Sequence, residues 1–151
     1  MAIMPIARAL AIAALIAASP AAAAGDDLQQ SFFEQRFCAA MALEVRAPQQ
    51  IRVDCASATH AIEVEFHDQW RAGLGQALAY AAAMGLQPGI VMVCRSDEAH
   101  CRASSLGLRA TLTRFTISAT IWECLPIDRS LDDCLRLECG AGACDVAQTG
   151  D

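Results

Sequence analysis

A chain of 151 residues with a net charge of −6 and 55% hydrophobic residues is long enough to bury the core of one ordinary domain. The acidic balance opposes tight, nonspecific binding to nucleic acid, which usually relies on a basic surface. All 11 basic residues are arginines, so the chain has no lysine, and they are scattered along the sequence rather than clustered.

The N-terminal segment has the three parts of a secretory signal peptide. Arg8 gives it a positive start, Ala9–Ala18 form a short apolar run, and Ala21–Ala24 are small residues suited to cleavage. A transmembrane anchor would need about 20 continuous apolar residues, which this run does not reach. We therefore predict a signal peptide over residues 1–24, with cleavage after Ala24. The product is expected to be periplasmic or secreted, without a membrane anchor.

The cysteine pattern predicts disulfide bonds. An even number of cysteines in an exported chain is typical of a disulfide framework, although eight cysteines allow on the order of a hundred pairings. Zinc binding is the alternative, but the short Cys-x-x-Cys spacing of common zinc sites is absent from the sequence. Cys38 with Cys55, and Cys94 with Cys101, are plausible pairs. The disulfide candidates are Cys38, Cys55, Cys94, Cys101, Cys124, Cys134, Cys139 and Cys144.

The first half of the mature chain carries one helical pattern followed by three strand patterns. Apolar residues at helical spacing predict a helix over residues 27–41. Short apolar runs predict strands over 42–47 and 51–55, joined by a hairpin loop at 48–50. Residues 61–66 alternate in character, which predicts a third strand with its two glutamates on one face.

The second half of the chain alternates helices with strands. An apolar stripe predicts a helix that ends at Gly85, a residue suited to a left-handed C-cap. Gln87-Pro88-Gly89 predicts a turn before an apolar run that is typical of a buried parallel strand. The predicted elements of this half cover residues 69–84, 90–94, 99–115 and 117–124. From Leu125 onward the polar, cysteine-rich sequence predicts an ordered tail held by disulfides.

The order of these elements predicts an α/β fold, with a mixed β-sheet and flanking helices. Two or three antiparallel strands precede a parallel β-α-β crossover, so both kinds of strand pairing are expected in one sheet. No internal repeat and no interdomain linker interrupts the chain.

Three carboxylates are candidates for chemistry. Asp54 ends the second predicted strand, while Glu63 and Glu65 share one face of the third. A short connection between these strands would bring the three side chains together, and convergent carboxylates form a hard oxygen site suited to Mg²⁺ or Mn²⁺. Such neighbours repel one another, which favours a bound cation or raised pKa values. The alternative is a solvated strand face that carries two glutamates.

The following helix places Gln76 and Tyr80 one turn apart, on one face. With the order of elements and the acidic strand residues, this chain resembles the PD-(D/E)xK nuclease superfamily. That family has an αβββαβ, restriction-endonuclease-like core, and many members carry Gln-x-x-x-Tyr after the third strand. More narrowly, the stretch RVDC…HAIEVEF…GQALAYA is similar to that of a group of small exported bacterial proteins. The resemblance makes residues 25–124 the nuclease-like domain and 125–151 a cysteine-rich C-terminal extension.

The resemblance implies roles for particular residues. Asp54, Glu63 and the backbone carbonyl of Val64 would hold Mg²⁺ or Mn²⁺, and Glu34 on the first helix would add an acidic ligand. The Gln-x-x-x-Tyr pair would position a nucleic-acid backbone or the attacking water. A cation held in this way would polarise a phosphodiester and stabilise the charge that develops during its hydrolysis.

The chain departs from the family pattern at one central position. Glu65 stands where the family has lysine, and Arg71 on the next helix cannot serve as a base in its place. His60 and His67 flank the third strand and are further candidates for base or ligand. Three functions remain open: a metal-dependent phosphodiesterase acting on nucleic acid, a catalytically degenerate relative used for binding or structure, and a disulfide-stabilised module that binds a periplasmic protein.

Overall fold

The computed structural model describes residues 30–95 and 97–147. The predicted signal peptide lies outside these ranges. Among the residues described, no helix is both long enough and apolar enough to cross a membrane.

The fold contains three helices and seven strands within the described ranges, in the order that the sequence patterns predict for the first 124 residues. Helix α1 covers residues 30–37. The other elements are β1 (Ala42–Arg46), β2 (Arg52–Ala56), β3 (His60–Phe66), α2 (Trp70–Met84), β4 (Gln87–Val93), α3 (Glu98–Phe115), β5 (Ala119–Cys124), β6 (Leu135–Gly140) and β7 (Ala143–Val146).

The seven strands form one mixed sheet in the order β1-β2-β3-β4-β5-β6-β7. Strands β1, β2 and β3 pair antiparallel, whereas β3, β4 and β5 are parallel. The two parallel pairs need long connections, which α2 and α3 provide. The segment after Cys124 adds β6 and β7 as antiparallel strands to the same sheet. The predicted α/β fold with a mixed sheet is therefore confirmed.

Helices cover both faces of the sheet. Helices α2 and α3 pack against one face, where Ile90 of β4 and Ile121 of β5 are fully buried. The end of α1 packs against the opposite face, beside Val64 and Phe66 of β3. Strand β4 is covered on both sides, which explains why its sequence is continuously apolar rather than alternating.

The predicted turn at residues 87–89 is wrong, because these residues begin strand β4. Gly89 pairs with Ile62 in the parallel ladder. A Cβ atom at Gly89 would lie 2.8 Å from Ile62 Cγ1 and 3.0 Å from the Trp122 ring. The glycine is therefore required by close packing within a strand, not by a turn.

We expect Gly89→Ala to lower the free energy of unfolding by about 1–3 kcal/mol, because the added methyl group overpacks the core. Urea denaturation of both proteins measures the difference. Gly75→Ala is the matched control, since a Cβ there meets nothing within 4 Å and alanine is the better helix former. Equal stability of the Gly89→Ala variant and the wild type would contradict this account of strand β4.

Four disulfides join all eight cysteines. The predicted pairs Cys38–Cys55 and Cys94–Cys101 are confirmed. Cys124–Cys134 joins the end of β5 to the start of β6, and Cys139–Cys144 joins β6 to β7, which confirms the expectation of an ordered tail through residue 147. Disulfides of this number are typical of proteins that leave the cytoplasm, and each stabilises a fold by about 2–4 kcal/mol.

Candidate functional site

Strands β2 and β3 diverge beside the predicted carboxylate site. Their backbone pairing consists of Cys55 with Ile62 and Ala56 with Ala61. Beyond these pairs, the Asp54 side chain takes the place of a backbone acceptor, and the Val64 amide donates to its Oδ2 over 2.9 Å. The divergence opens the sheet and fixes Asp54 where the two strands separate.

The opening forms the floor of a cleft of about 1030 Å³, bounded by α1 on one side and α2 on the other. Six residues that the sequence marked as candidates line this one cleft, although they lie on four different elements. They are Glu34, Asp54, Glu63, Glu65, Gln76 and Tyr80.

The most buried of these carboxyl groups is that of Glu63, which is only 2% exposed. Desolvation by burial, followed by the negative charge of Asp54, raises its pKa. Burial also raises the pKa of Asp54, although the bond from the Val64 amide works against this shift. The neighbouring charge of Asp54 therefore favours the protonated form of Glu63.

One buried oxygen of this pair has no hydrogen-bond partner among the described residues. Within the described ranges, Oε2 of Glu63 is buried and accepts no hydrogen bond. A buried polar atom without a partner costs about 1–3 kcal/mol. The Asp54–Glu63 pair therefore holds both an excess of acidic groups and an unsatisfied oxygen at the floor of the cleft.

Glu34 and Glu65 are the outer carboxylates of the cleft. Desolvation, and then the charge of Asp54, raises the pKa of Glu34 to about 7. Desolvation also raises the pKa of Glu65, whose Oε1 accepts a 2.8 Å hydrogen bond from the Phe66 amide. Glu34 can therefore exchange a proton near neutral pH, whereas Glu65 is partly satisfied by its own backbone.

Gln76 and Tyr80 form the polar edge of α2. The Tyr80 hydroxyl donates to Gln76 Oε1 over 2.9 Å, as the spacing of one helical turn predicts. Burial and the nearby acidic groups Glu63 and Asp54 raise the pKa of Tyr80. Its hydroxyl therefore stays protonated and remains a hydrogen-bond donor that faces the cleft.

Positive charge reaches the cleft through Arg52 and Arg71. The Arg52 guanidinium lies 3.7 Å from the carboxylate of Glu44, and both side chains are mostly exposed. Arg71 lies over the Trp70 ring, 4.7 Å from its centroid. Both arginines can turn towards a ligand, because neither is held in a buried ion pair.

The donor set suits a cation that keeps part of its water shell. Within residues 30–95 and 97–147, no group of three or more His, Cys, Asp or Glu side chains is arranged to hold a metal ion. Asp54 and Glu63 instead offer two carboxylates. This suits Mg²⁺, which usually binds through one or two carboxylates together with waters and substrate phosphates. The unsatisfied Glu63 oxygen is the observation that favours a cation here.

The Val64 carbonyl and the two histidines stand apart from this pair. The Val64 carbonyl accepts a 2.9 Å hydrogen bond from Gln30 Nε2, which leaves its second lone pair as a possible ligand. His60 lies between the hydroxyls of Thr59 and Thr120, at 2.8 and 2.9 Å, and His67 is buried. Neither histidine lines the cleft.

Among the lining residues that sequence reasoning did not select are Gln30 and Glu44. Glu44 has a positive φ of 47°, which interrupts the regular alternation of β1, so the strand pattern gave no signal for its direction. Gln30 had no signal either, because its role depends on how α1 crosses β3.

No family model, curated protein or solved structure matches this chain. The cleft and its side chains therefore carry the functional assignment.

Proposed function

We propose that this exported protein is a phosphodiesterase acting on nucleic acid, dependent on Mg²⁺ or Mn²⁺, with its active site in the carboxylate-lined cleft. The buried Asp54–Glu63 pair, with its unsatisfied oxygen, is the observation that carries the proposal. The same proposal places the protein in the periplasm or outside the cell, in agreement with its four disulfides.

The order of elements supports a restriction-endonuclease-like core. Helix α1, strands β1 to β3, helix α2 and strand β4 follow one another as in the αβββαβ arrangement of the PD-(D/E)xK superfamily. The acidic residues fall on the second and third strands, and Gln76 and Tyr80 on the following helix. All of these side chains meet in one cleft, which a chance resemblance of short motifs would not require.

Asp54 and Glu63 would hold the cation, with the Val64 carbonyl as a further ligand. When bound, Mg²⁺ or Mn²⁺ polarises the phosphodiester and stabilises the negative charge that develops on its oxygens. On binding a cation, Glu63 would release its proton to solvent, and its unpartnered oxygen would gain an electrostatic partner. Tyr80, whose hydroxyl donates to Gln76, would turn this hydroxyl to a phosphate oxygen, and Arg71 would add positive charge from the same helix.

Glu34 is the best candidate for the base that accepts a proton from the attacking water. In the metal-free cleft its pKa is raised to about 7, so a substantial fraction is ionised at neutral pH while it remains basic enough to accept a proton. Glu34 faces the cleft from α1, opposite the pair on the strands. This assignment does not require the lysine that the family pattern places at position 65.

The direct test uses the disulfide-bonded protein that begins at Gly25. Single-stranded DNA, RNA and duplex DNA are incubated with Mg²⁺, with Mn²⁺ or with a chelator, and cleavage products are separated by electrophoresis. We expect cleavage with either metal and none with the chelator. Absence of cleavage on all three substrates, by protein that binds Mn²⁺ in calorimetry, would leave binding or structure as the function.

A degenerate relative is the second candidate, favoured by the Glu65 carboxylate that bonds to its neighbour's amide. Glu65→Lys separates the two functions. If the site is active, lysine should raise the cleavage rate by about tenfold or more, because it adds a cation where charge develops. An inert wild type with an active Glu65→Lys variant would identify a site that lost activity through this one residue. If neither protein cleaves, the phosphodiesterase proposal fails.

A further inference from the structure

A second cleft, of about 640 Å³, lies between α3 and the connection from β5 to β6. It shares no lining residue with the carboxylate-lined cleft. Leu106, Leu125 and Leu135 form its apolar walls and are 56%, 51% and 46% exposed. Three half-exposed leucines that line one concave surface give it the apolar walls that ligand pockets usually have.

The polar centre of this second cleft is Glu123 on β5. The Ser105 hydroxyl donates to its Oε1, and the described residues supply no other hydrogen bond or ion pair to this carboxylate. Neither of the two arginines that line the cleft pairs with Glu123. Arg102 pairs with Glu98 at 2.6 Å, and Arg109 donates to the Cys144 carbonyl at 3.4 Å.

The walls of the second cleft are fixed in advance of binding. The disulfide Cys94–Cys101 ties the start of α3 to the end of β4, and both cysteines line the cleft. The disulfide Cys124–Cys134 closes the loop that carries Leu125. Arg36 of α1 holds the same loop by donating to the carbonyls of Pro126 and Asp128, at 2.7 and 3.0 Å. A rigid cleft avoids the entropy cost of ordering its walls around a ligand.

We propose that the second cleft binds a small apolar organic cation. An ammonium or guanidinium group would pair with Glu123, while an alkyl chain or an aromatic ring would cover the three leucines. An organic anion is disfavoured, because the lining carries four carboxylates and only two arginines. A strongly hydrated inorganic cation is also disfavoured, because it leaves the leucines exposed to water.

The test is a titration of ¹⁵N-labelled, disulfide-bonded protein followed by two-dimensional NMR. The probe is n-hexylammonium chloride, compared with n-hexanoate for charge and methylammonium for the apolar body. We expect shifts centred on the amides of residues 105–106, 123–125 and 135, with affinity at least tenfold above that for either comparison ligand. Nα-acetyl-lysine methylamide tests whether the bound ammonium group could instead belong to a lysine side chain of a peptide. We expect it to bind more weakly than n-hexylammonium.

Two variants test whether n-hexylammonium binds in the second cleft. Glu123→Gln keeps the shape and should weaken n-hexylammonium binding by at least tenfold, while Leu106→Ser should weaken n-hexylammonium but not methylammonium. Glu138→Gln is the control, since Glu138 lies on β6 outside the second cleft and the net charge changes equally. Equal binding of n-hexanoate, unchanged affinity in Glu123→Gln, or tighter binding of the lysine compound would each overturn the proposal.

Discussion

Replacing Asp54 with asparagine should lower the rate of metal-dependent phosphodiester cleavage by a factor of about 100 or more. Asparagine keeps an oxygen that can accept the Val64 amide proton, so the 2.9 Å bond that closes the β2–β3 ladder can remain. What is lost is the negative charge that holds the cation beside Glu63. The variant should therefore fold normally and lose cleavage activity. A substitution that damaged the sheet would lower the stability of the protein as well.

Three measurements separate these effects for Asp54→Asn: initial cleavage rate at saturating Mn²⁺, Mn²⁺ affinity by calorimetry, and thermal midpoint. We expect the rate and the affinity to fall while the midpoint changes little, because asparagine keeps an acceptor for the Val64 amide. Asp132→Asn is the control, since Asp132 is exposed and lies outside the carboxylate-lined cleft. Full activity of Asp54→Asn with wild-type Mn²⁺ affinity would show that the cleft is not the active site.

Much of the candidate site could be predicted because it depends on local periodicity. Alternation within β3 placed Glu63 and Glu65 on one face, and the helical repeat paired Gln76 with Tyr80. The same periodicities gave the element types through Cys124. These features need no knowledge of tertiary structure, since they follow from the direction of each side chain along a helix or strand.

Other features of the site depend on how elements meet. The divergence of β2 from β3 exists because the Asp54 side chain, rather than a backbone carbonyl, accepts the Val64 amide. The pKa of Glu34 depends on the burial of its side chain in the cleft and on the charge of Asp54 across it. No sequence pattern records such distances. The orphaned oxygen of Glu63 is likewise visible only once the surrounding elements are packed.

The C-terminal segment also has features that could not be predicted from the sequence alone. Its cysteines predicted an ordered segment, but not that β6 and β7 would extend the sheet. Cys124 lies at the end of β5 and Cys134 just before β6, so their disulfide closes the connection between two adjacent strands. That pairing follows from strand register, which spacing alone could not supply among so many possible pairings.

Without divalent metal, the protein should be less stable at pH 8 than at pH 5, by on the order of 3 kcal/mol. Folding raises the pKa of Glu34 and Glu63 above their ordinary value of 4.5. Between pH 4.5 and these raised values, the folded protein holds protons that the unfolded chain has released. By linkage, the free energy of unfolding then falls as pH rises, from about pH 4.5 through pH 7 for Glu34 and further for Glu63.

Two other kinds of ionisable side chain contribute differently to the pH dependence of the free energy of unfolding. Burial lowers the pKa of His60, so the free energy of unfolding gained from this group rises with pH until about pH 6.5. This opposes the trend, but His60 is one partly buried group against several carboxylates. Asp68, Asp97 and Asp133 have lowered pKa values. Their stabilisation is lost only as pH falls below their ordinary value of 3.8, so it is constant across the range from pH 5 to 8.

The measurement is the urea midpoint and slope at pH 5, 6, 7 and 8 in the presence of a chelator. Glu63→Gln should flatten the pH dependence and be more stable than wild type at pH 8, because its amide can donate to Asp54 at every pH. Glu98→Gln, an exposed change on α3, should keep the wild-type slope. Addition of Mg²⁺ at pH 8 should restore stability to the wild type and not to Glu63→Gln, since only the ionised carboxylate gains a cation partner. Wild-type stability that rises from pH 5 to 8 would show that these carboxyl groups are not held neutral by the fold, and would remove the electrostatic reason for a cation at this site.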